Sequence, residues 1–265
     1  MANHAPTGTA SESGPVIFCD FDGTITQLDV TDQILAQLAH PSWREVEQEW
    51  VRGLIGSREC LERQMALVET SAKELNALID GIPIDPHFAK FYRFTRKRGL
   101  PFYVMSDAFD YIIRRVLKRS GVDGQLRNGT HIFASVLRLA ERRLLTSFPY
   151  AGPPCEHGCA TCKAAILREV GRGRRPLIFI GDGLSDRFGA KVADVVFAKH
   201  QLLAYCREQG IGCQPYETFA EVQEWLRRRV ELVALEGGAG GSRKSKVKSR
   251  KSETLALNFQ LSGLK

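Results

Sequence analysis

VIFCDFDGT, residues 16–24, joins a short apolar run to two carboxylates, a glycine and a threonine. Val16 to Cys19 is too short for a helix and does not alternate, which predicts a strand buried on both faces, as in a parallel sheet. Asp20 and Asp22 then fall where that strand stops. Open parallel sheets bind ligands at the carboxyl ends of their strands. Further along the chain the pattern returns twice. Pro101-Phe-Tyr-Val-Met105 predicts a strand followed by Ser106-Asp107, and Pro176-Leu-Ile-Phe-Ile180 predicts one followed by Gly181-Asp182-Gly183-Leu-Ser185-Asp186. Between them Lys163 stands early in a helix predicted over Thr161–Val170.

The intervening segments set the architecture. From Thr31 to Ile79 the apolar spacing is helical (Ile34, Leu35, Leu38; Leu61, Met65, Val68), with no convincing strand. Tyr111–Arg119 reads as an amphipathic helix. Residues 122–150 read as irregular strands or a hairpin around Asp123-Gly124 and Asn128-Gly129. Val195–Ala198 predicts another strand, and helices follow near 200–209 and 218–235. Strands separated by helices predict an α/β fold: a Rossmann-like parallel sheet with helices on both faces and a small inserted helical cap. The predicted divisions are a disordered leader (1–14), a core (15–28 and 85–236), a cap (29–84) and a basic disordered tail (237–265).

Composition excludes fibrous, disulfide-scaffold and wholly disordered classes. The chain of 265 residues carries a net charge of +7, but residues 237–265 hold seven Lys/Arg against one Glu. The body is therefore almost neutral, and the basicity belongs to the tail. That tail lacks interleaved aromatics to stack bases, so nucleic acid is not the expected partner. No apolar run reaches the ~18 residues of a membrane helix, and the N-terminus lacks a secretory apolar region. With seven cysteines, an odd number, these features predict free thiols and a cytoplasmic protein. A homodimer is left open.

The four sites, in this order and at these strand ends, resemble the motif set of the haloacid dehalogenase-like phosphatases over residues 16–226, in the phosphoserine-phosphatase-like branch. CDFDGTIT (19–26), PFYVMSDAFDYI (101–112), the Cys-rich run into Lys163, IGDGLSDRFGAKVADVVFAKHQLLAYCREQGI (180–211) and PYETFAEVQEWL (215–226) carry a closer similarity, to the methionine-salvage phosphatases of that branch. The resemblance implies a Mg²⁺-dependent phosphomonoesterase acting on a small phosphorylated metabolite, preferably the 2-hydroxy-3-keto-5-methylthiopentenyl-1-phosphate of methionine salvage. Phosphoserine or another small phosphate is the alternative. A retired core serving as a binding module, its basic tail on nucleic acid, is the rival from another class.

Elementary chemistry agrees with the resemblance. Asp20 would attack phosphorus to give an acyl phosphate that water can hydrolyse. Two anions repel, so a divalent cation with oxygen ligands must sit between them. Asp20 and Asp182 would supply carboxylates, and the resemblance adds the backbone carbonyl of Asp22. The Asp22 side chain would protonate the leaving alkoxide and deprotonate the water. Ser106, with Asp107 and nearby amides, would hold phosphate oxygens. Lys163 would neutralise charge. Gly23 and Gly183 would allow close backbone approach, Thr24 would tether the loop, and Asp186 would orient Lys163 or a metal water. On the cap, Arg58, Glu62, Arg63 and Gln64 are polar, and a solvated face is the plainer reading for each.

Three features stand outside this set. Cys155, His157, Cys159 and Cys162 admit a metal-free loop, a structural zinc site or a redox pair, in that order. Cys19 precedes the nucleophile but points away from it on a strand, as a buried core thiol. Ser135 stands where the branch commonly has Asn, and Asp107 where it often has Gly.

Overall fold

The computed structural model of the chain describes residues 14–122, 131–152 and 155–238. Val16–Cys19 forms β1, buried along its whole length. It pairs in parallel with β2 (Phe102–Phe109) on one side and β5 (Leu177–Gly181) on the other. Beyond β2 lie β3 (His131–Ala140), parallel, and β4 (Arg143–Ser147), antiparallel to β3. Beyond β5 lie β6 (Val195–Ala198) and β7 (Gln214–Pro215), both parallel. The strand order is β4-β3-β2-β1-β5-β6-β7. The chain thus builds outward on one side of β1, then returns to build on the other. The reversal lies between β1 and β5, where an α/β sheet opens a crevice at its carboxyl edge.

Alternation along β1 explains why it is apolar throughout. Ile17 and Cys19 join the core that holds Phe88 and Phe91 of α5 (Phe88–Lys97), Ile112 and Ile113 of α6 (Asp110–Arg119), and Phe219 of α10 (Phe219–Gly238). Val16 and Phe18 join the opposite core, with Ile166 and Leu167 of α7 (Lys163–Val170) and Leu202 of α9 (His200–Glu208). A strand covered on both faces has no solvent side to pattern. Between β5 and β6 the chain makes a 3₁₀ turn at Leu184–Asp186 and a short helix α8 (Arg187–Ala190).

Between β1 and α5 lie α1 (Val30–Leu38), α2 (Trp43–Val51), α3 (Ser57–Met65) and α4 (Ala72–Gly81). Ile34, Leu35, Leu61, Met65, Leu75 and Ile79 belong to the same apolar cluster as Ile17, so these helices share a core with the sheet. The capping box of Ser71 and Glu74 opens α4. Its end is held by α6: Arg115 pairs with Asp80 at 2.5 Å, and the Arg119 guanidinium donates to the carbonyls of Ile79, Asp80 and Ile82. Carbonyls at a helix end run out of i+4 donors, and the arginine adds donors there. Asp85, buried, accepts from the N–H of His87 (2.7 Å) and of Phe219 (3.1 Å), fastening the starts of α5 and α10 to one carboxylate.

Three expectations need adjusting. β2 does not stop at Met105 but runs to Phe109, its register with β3 broken between these two residues, so Ser106 and Asp107 lie in an irregular strand end. Such breaks re-aim side chains beside active sites. Helix α10 continues to Gly238, past the boundary drawn at 237, because helix-forming residues persist up to the glycine run. The hairpin expected in 122–150 is β3–β4, and the Asp123-Gly124 and Asn128-Gly129 turns lie outside the described residues, as do 1–13 and 239–265. Among the described residues no helix is long and apolar enough to cross a membrane.

Candidate active site

Asp20 leaves the end of β1 almost fully buried, and its N–H donates to Ile180 of β5 at 2.9 Å. Lys163, at the start of α7, brings its ammonium to 2.9 Å from Asp20 Oδ1, 2.5 Å from Asp186 Oδ1 and 3.2 Å from Ser185 Oγ. Burial favours the neutral amine, but the carboxylates of Asp186, Asp20 and Asp107 outweigh it and hold Lys163 above the ordinary lysine range. Burial also pushes the Asp20 carboxyl up, with the charge of Asp186 adding and Lys163 opposing.

Asp186 is the hub. While Oδ1 meets Lys163, Oδ2 accepts the N–H groups of Asp182 (2.9 Å) and Gly183 (3.1 Å). It therefore fixes the lysine and the loop that carries Asp182 together. Asp182 is held from the other side by the Thr24 hydroxyl at 2.9 Å, and His200 Nδ1 stands 3.4 Å from its second oxygen. Gly23 adopts φ +64°, and a Cβ there would overlap the Asp182 carboxylate. A Cβ on Gly181 would overlap Asp186. A Cβ on Gly183 would meet no protein atom within 4 Å.

One oxygen each from Asp20, Asp182 and Asp186 lie within 4.8 Å of one another. One ammonium faces this group of carboxylates, and among the described residues Lys163 is the partner of the buried Asp20 Oδ1. Such a set of hard oxygens fits a small divalent cation. Asp186 spends both oxygens on Lys163 and the loop N–H groups and is fully buried, whereas Asp20 and Asp182 both line the cavity, where a cation could reach them.

The Asp22 side chain lies outside this trio. Its oxygens accept from the N–H of Val30 and the hydroxyl of Thr31, each at 3.1 Å, at the first turn of α1. Burial pushes its carboxyl up, the Asp29 charge adds, and the Val30 N–H opposes; the net direction is upward. A carboxylic acid that keeps its proton is suited to proton donation. Ser106 Oγ accepts the Ala108 N–H at 3.2 Å, leaving its own proton to give. Asp107 lines the pocket, but its carboxylate accepts from Thr161 N–H at 2.9 Å and from the Ser57 hydroxyl, so it anchors a loop. Ser135 lies beneath, its hydroxyl on the Asp107 carbonyl at 3.0 Å, buried and outside the pocket lining. Cys19 is buried and donates to the Asp20 carbonyl at 3.1 Å.

These groups floor a cavity of about 360 Å³ whose far wall comes from α2 and α3. Trp50, Val51 and Leu61 give that wall an apolar face, and Glu47 and Gln64 its polar part, joined at 2.8 Å. Of the four polar cap candidates only Gln64 lines the cavity. Arg63 is turned to Glu49 and Glu59, and Arg58 and Glu62 are exposed. Trp50, Asp29, Thr31 and His200 carried no signal in the sequence, because their place depends on how helices α1, α2 and α9 meet the strand ends. In the Cys155–Cys162 run His157 stacks on Phe188 at 3.9 Å, and among the described residues the cluster of three metal-capable groups is Asp20, Asp182 and Asp186 rather than these cysteines.

Residues 17–191 match the family model of haloacid dehalogenase-like hydrolases. The chain is similar to the 2-hydroxy-3-keto-5-methylthiopentenyl-1-phosphate phosphatases of Geobacillus kaustophilus (31% identical, over 82% of this chain and 98% of the relative) and Geobacillus thermodenitrificans (30%, over 83% and 98%). Its fold is similar to a solved phospho-aspartyl intermediate analogue of phosphoserine phosphatase, with TM-score 0.60 at 19% identity, covering 79% of this chain and 97% of that one. Strand order, site and similarity agree: the chain belongs to the haloacid dehalogenase-like hydrolase family, as a phosphoric monoester hydrolase.

Proposed function

We propose that this enzyme is a Mg²⁺-dependent phosphatase that works through a phosphorylated Asp20, acts in the cytoplasm, and takes 2-hydroxy-3-keto-5-methylthiopentenyl-1-phosphate as its substrate. The observation that carries the mechanism is the buried Lys163 between Asp20 and Asp186, with Asp182 alongside and the Asp22 carboxyl held apart by Val30 and Thr31. Ser106 and Lys163 seat the phosphate, and Asp107 contributes by shaping the strand end. Asp20 attacks phosphorus, and Asp22 gives its proton to the departing alkoxide. The same carboxylate then takes a proton from the water that cleaves the acyl phosphate. Asp20, Asp182 and the Asp22 carbonyl would hold Mg²⁺, which would supply the positive charge that offsets repulsion between phosphate and carboxylate. Helices α1–α4, as a cap, keep bulk water from the phosphorylated aspartate.

The substrate rests on the named relatives and on the cap wall. That wall offers Trp50, Val51 and Leu61 to an apolar tail. Neither Lys nor Arg occurs among the described lining residues, whereas Glu47 and Asp32 do. Such a wall offers no cation to pair with the free carboxylate of phosphoserine, and its apolar part accepts an uncharged chain. Phosphate release from a panel of phosphomonoesters, with and without Mg²⁺, tests the reading. Turnover that needs Mg²⁺ and vanishes in Asp20→Asn supports it. Turnover retained in that variant, or unchanged by chelator, contradicts it.

A further inference from the structure

The loop ahead of Lys163 contains chemistry that phosphate transfer does not use. Cys155 is partly exposed, and its sulfur accepts the N–H of Cys159 at 3.4 Å. The backbone of His157 and the thiols of Cys159 and Cys162 also lower the pKa of this thiol. Burial pushes the Cys155 thiol up, but these donors outweigh it, and the net shift is downward. Burial pushes the thiols of Cys159 and Cys162 up. One sulfur is thus an acceptor and its neighbours are donors, the arrangement of an attacking thiol beside resolving thiols. Elsewhere Cys206 and Cys213 also touch, but Cys206 is buried, its thiol pushed up to about 11.

The loop is wired to the catalytic parts. Gly158 packs against Gly56, and its carbonyl accepts the Arg58 N–H of α3 at 3.0 Å. Ala160 N–H donates to Ser57 at 2.9 Å, Thr161 N–H to Asp107 at 2.9 Å, and Lys163 follows at once.

We propose that Cys155 is a peroxide-sensitive modification site that closes a reversible disulfide with Cys159, adjusting the loop between the cap and Lys163. The Cys155 thiolate attacks one peroxide oxygen: an S–O bond forms, the O–O bond breaks, and hydroxide leaves to be protonated by solvent. Cys155 is oxidised by two electrons and the peroxide is reduced. The Cys159 sulfur then attacks Cys155, forming the S–S bond and releasing water with the Cys159 proton. A dithiol reductant reverses the change.

The test uses the reduced full-length protein, stoichiometric hydrogen peroxide, alkylation of the remaining thiols and peptide mass mapping. The residue 144–163 peptide should lose two hydrogens and carry a single alkyl group, on Cys162. Cys155 should alkylate on the order of 10-fold faster than Cys206 near neutral pH. The bond should persist in Cys162→Ser and disappear in Cys155→Ser, and wild-type turnover should fall on oxidation and return with reductant. A Cys206–Cys213 bond forming first, a Cys155–Cys162 bond, a bond surviving in Cys155→Ser, or full turnover with the bond closed would each overturn the proposal. The mass readout does not depend on substrate identity, so its failure is separate from failure of the phosphatase reading.

Discussion

The chemistry of this enzyme turns on how few charges are allowed at the end of β1. Lys163 is the ammonium that faces Asp20 and Asp186, and all three are buried. Deleting one partner leaves the others unpaired in a poor dielectric, which is costly. Lys163→Met should therefore lower kcat by about 100-fold or more, as loss of a group that stabilises transition-state charge does, and should also lower the melting temperature. Loss of stability with kcat intact would remove the lysine from the reaction. Thr24 touches Asp182 by one hydroxyl, so Thr24→Val should raise the Mg²⁺ concentration for half-maximal activity by about 10–100-fold with little effect on kcat. A metal titration of the variant reads this directly. The proximity of Asp20, Lys163 and Asp182 was legible in the sequence because each lies within three residues of the end of a predicted strand or the start of a predicted helix. The crowding of Gly181 by Asp186 was not legible, because sequence does not say which neighbour packs against a glycine. The engagement of Asp107 with Thr161 and Ser57 joins three distant segments, and spacing along the chain does not encode it.

At the scale of the elements, two carboxylates organise the cap and its seam with the core. Glu74 is held below its ordinary value, near 4.5, by the Ser71 N–H and hydroxyl. A carboxyl whose folded pKa is depressed adds stability above its unfolded pKa and loses that contribution as pH falls through the folded one. Ser71→Ala should cost about 1 kcal/mol at neutral pH, and the difference from wild type should shrink as the pH drops below that ordinary value. Urea unfolding at two pH values measures both. Asp85 binds the starts of α5 and α10, and Asp85→Ala strips a charged acceptor from two N–H groups. The expected loss is about 2 kcal/mol, with the fold retained; an unchanged urea midpoint would contradict it. Apolar runs made β1, β2, β5 and β6 readable, and 3.6-residue spacing did the same for α1 and α3. The break in β2 after Met105 was not readable, because it arises from pairing with β3.

For the whole molecule, the cap shares one hydrophobic cluster with the sheet and closes an apolar wall over the phosphate site. Reaction type and substrate choice therefore reside on different pieces of chain. Trp50→Ala should raise KM for 2-hydroxy-3-keto-5-methylthiopentenyl-1-phosphate on the order of 10-fold while leaving a short alkyl phosphate almost unaffected, since only the former reaches the wall. Equal changes for both would place Trp50 in the general architecture. The overall class was visible in the order of strands and acidic ends. The choice of tail was not, because Trp50, Val51, Glu47 and Gln64 form a wall only when α2 and α3 pack together. The central claim is that phosphate passes through Asp20. Acid quenching of the enzyme during turnover, borohydride reduction of the acyl phosphate and mass mapping of the peptide containing residue 20 tests it most directly. Homoserine at position 20, formed only with substrate present, is the predicted result; full turnover with Asp20 unmodified at every quench time would contradict the mechanism.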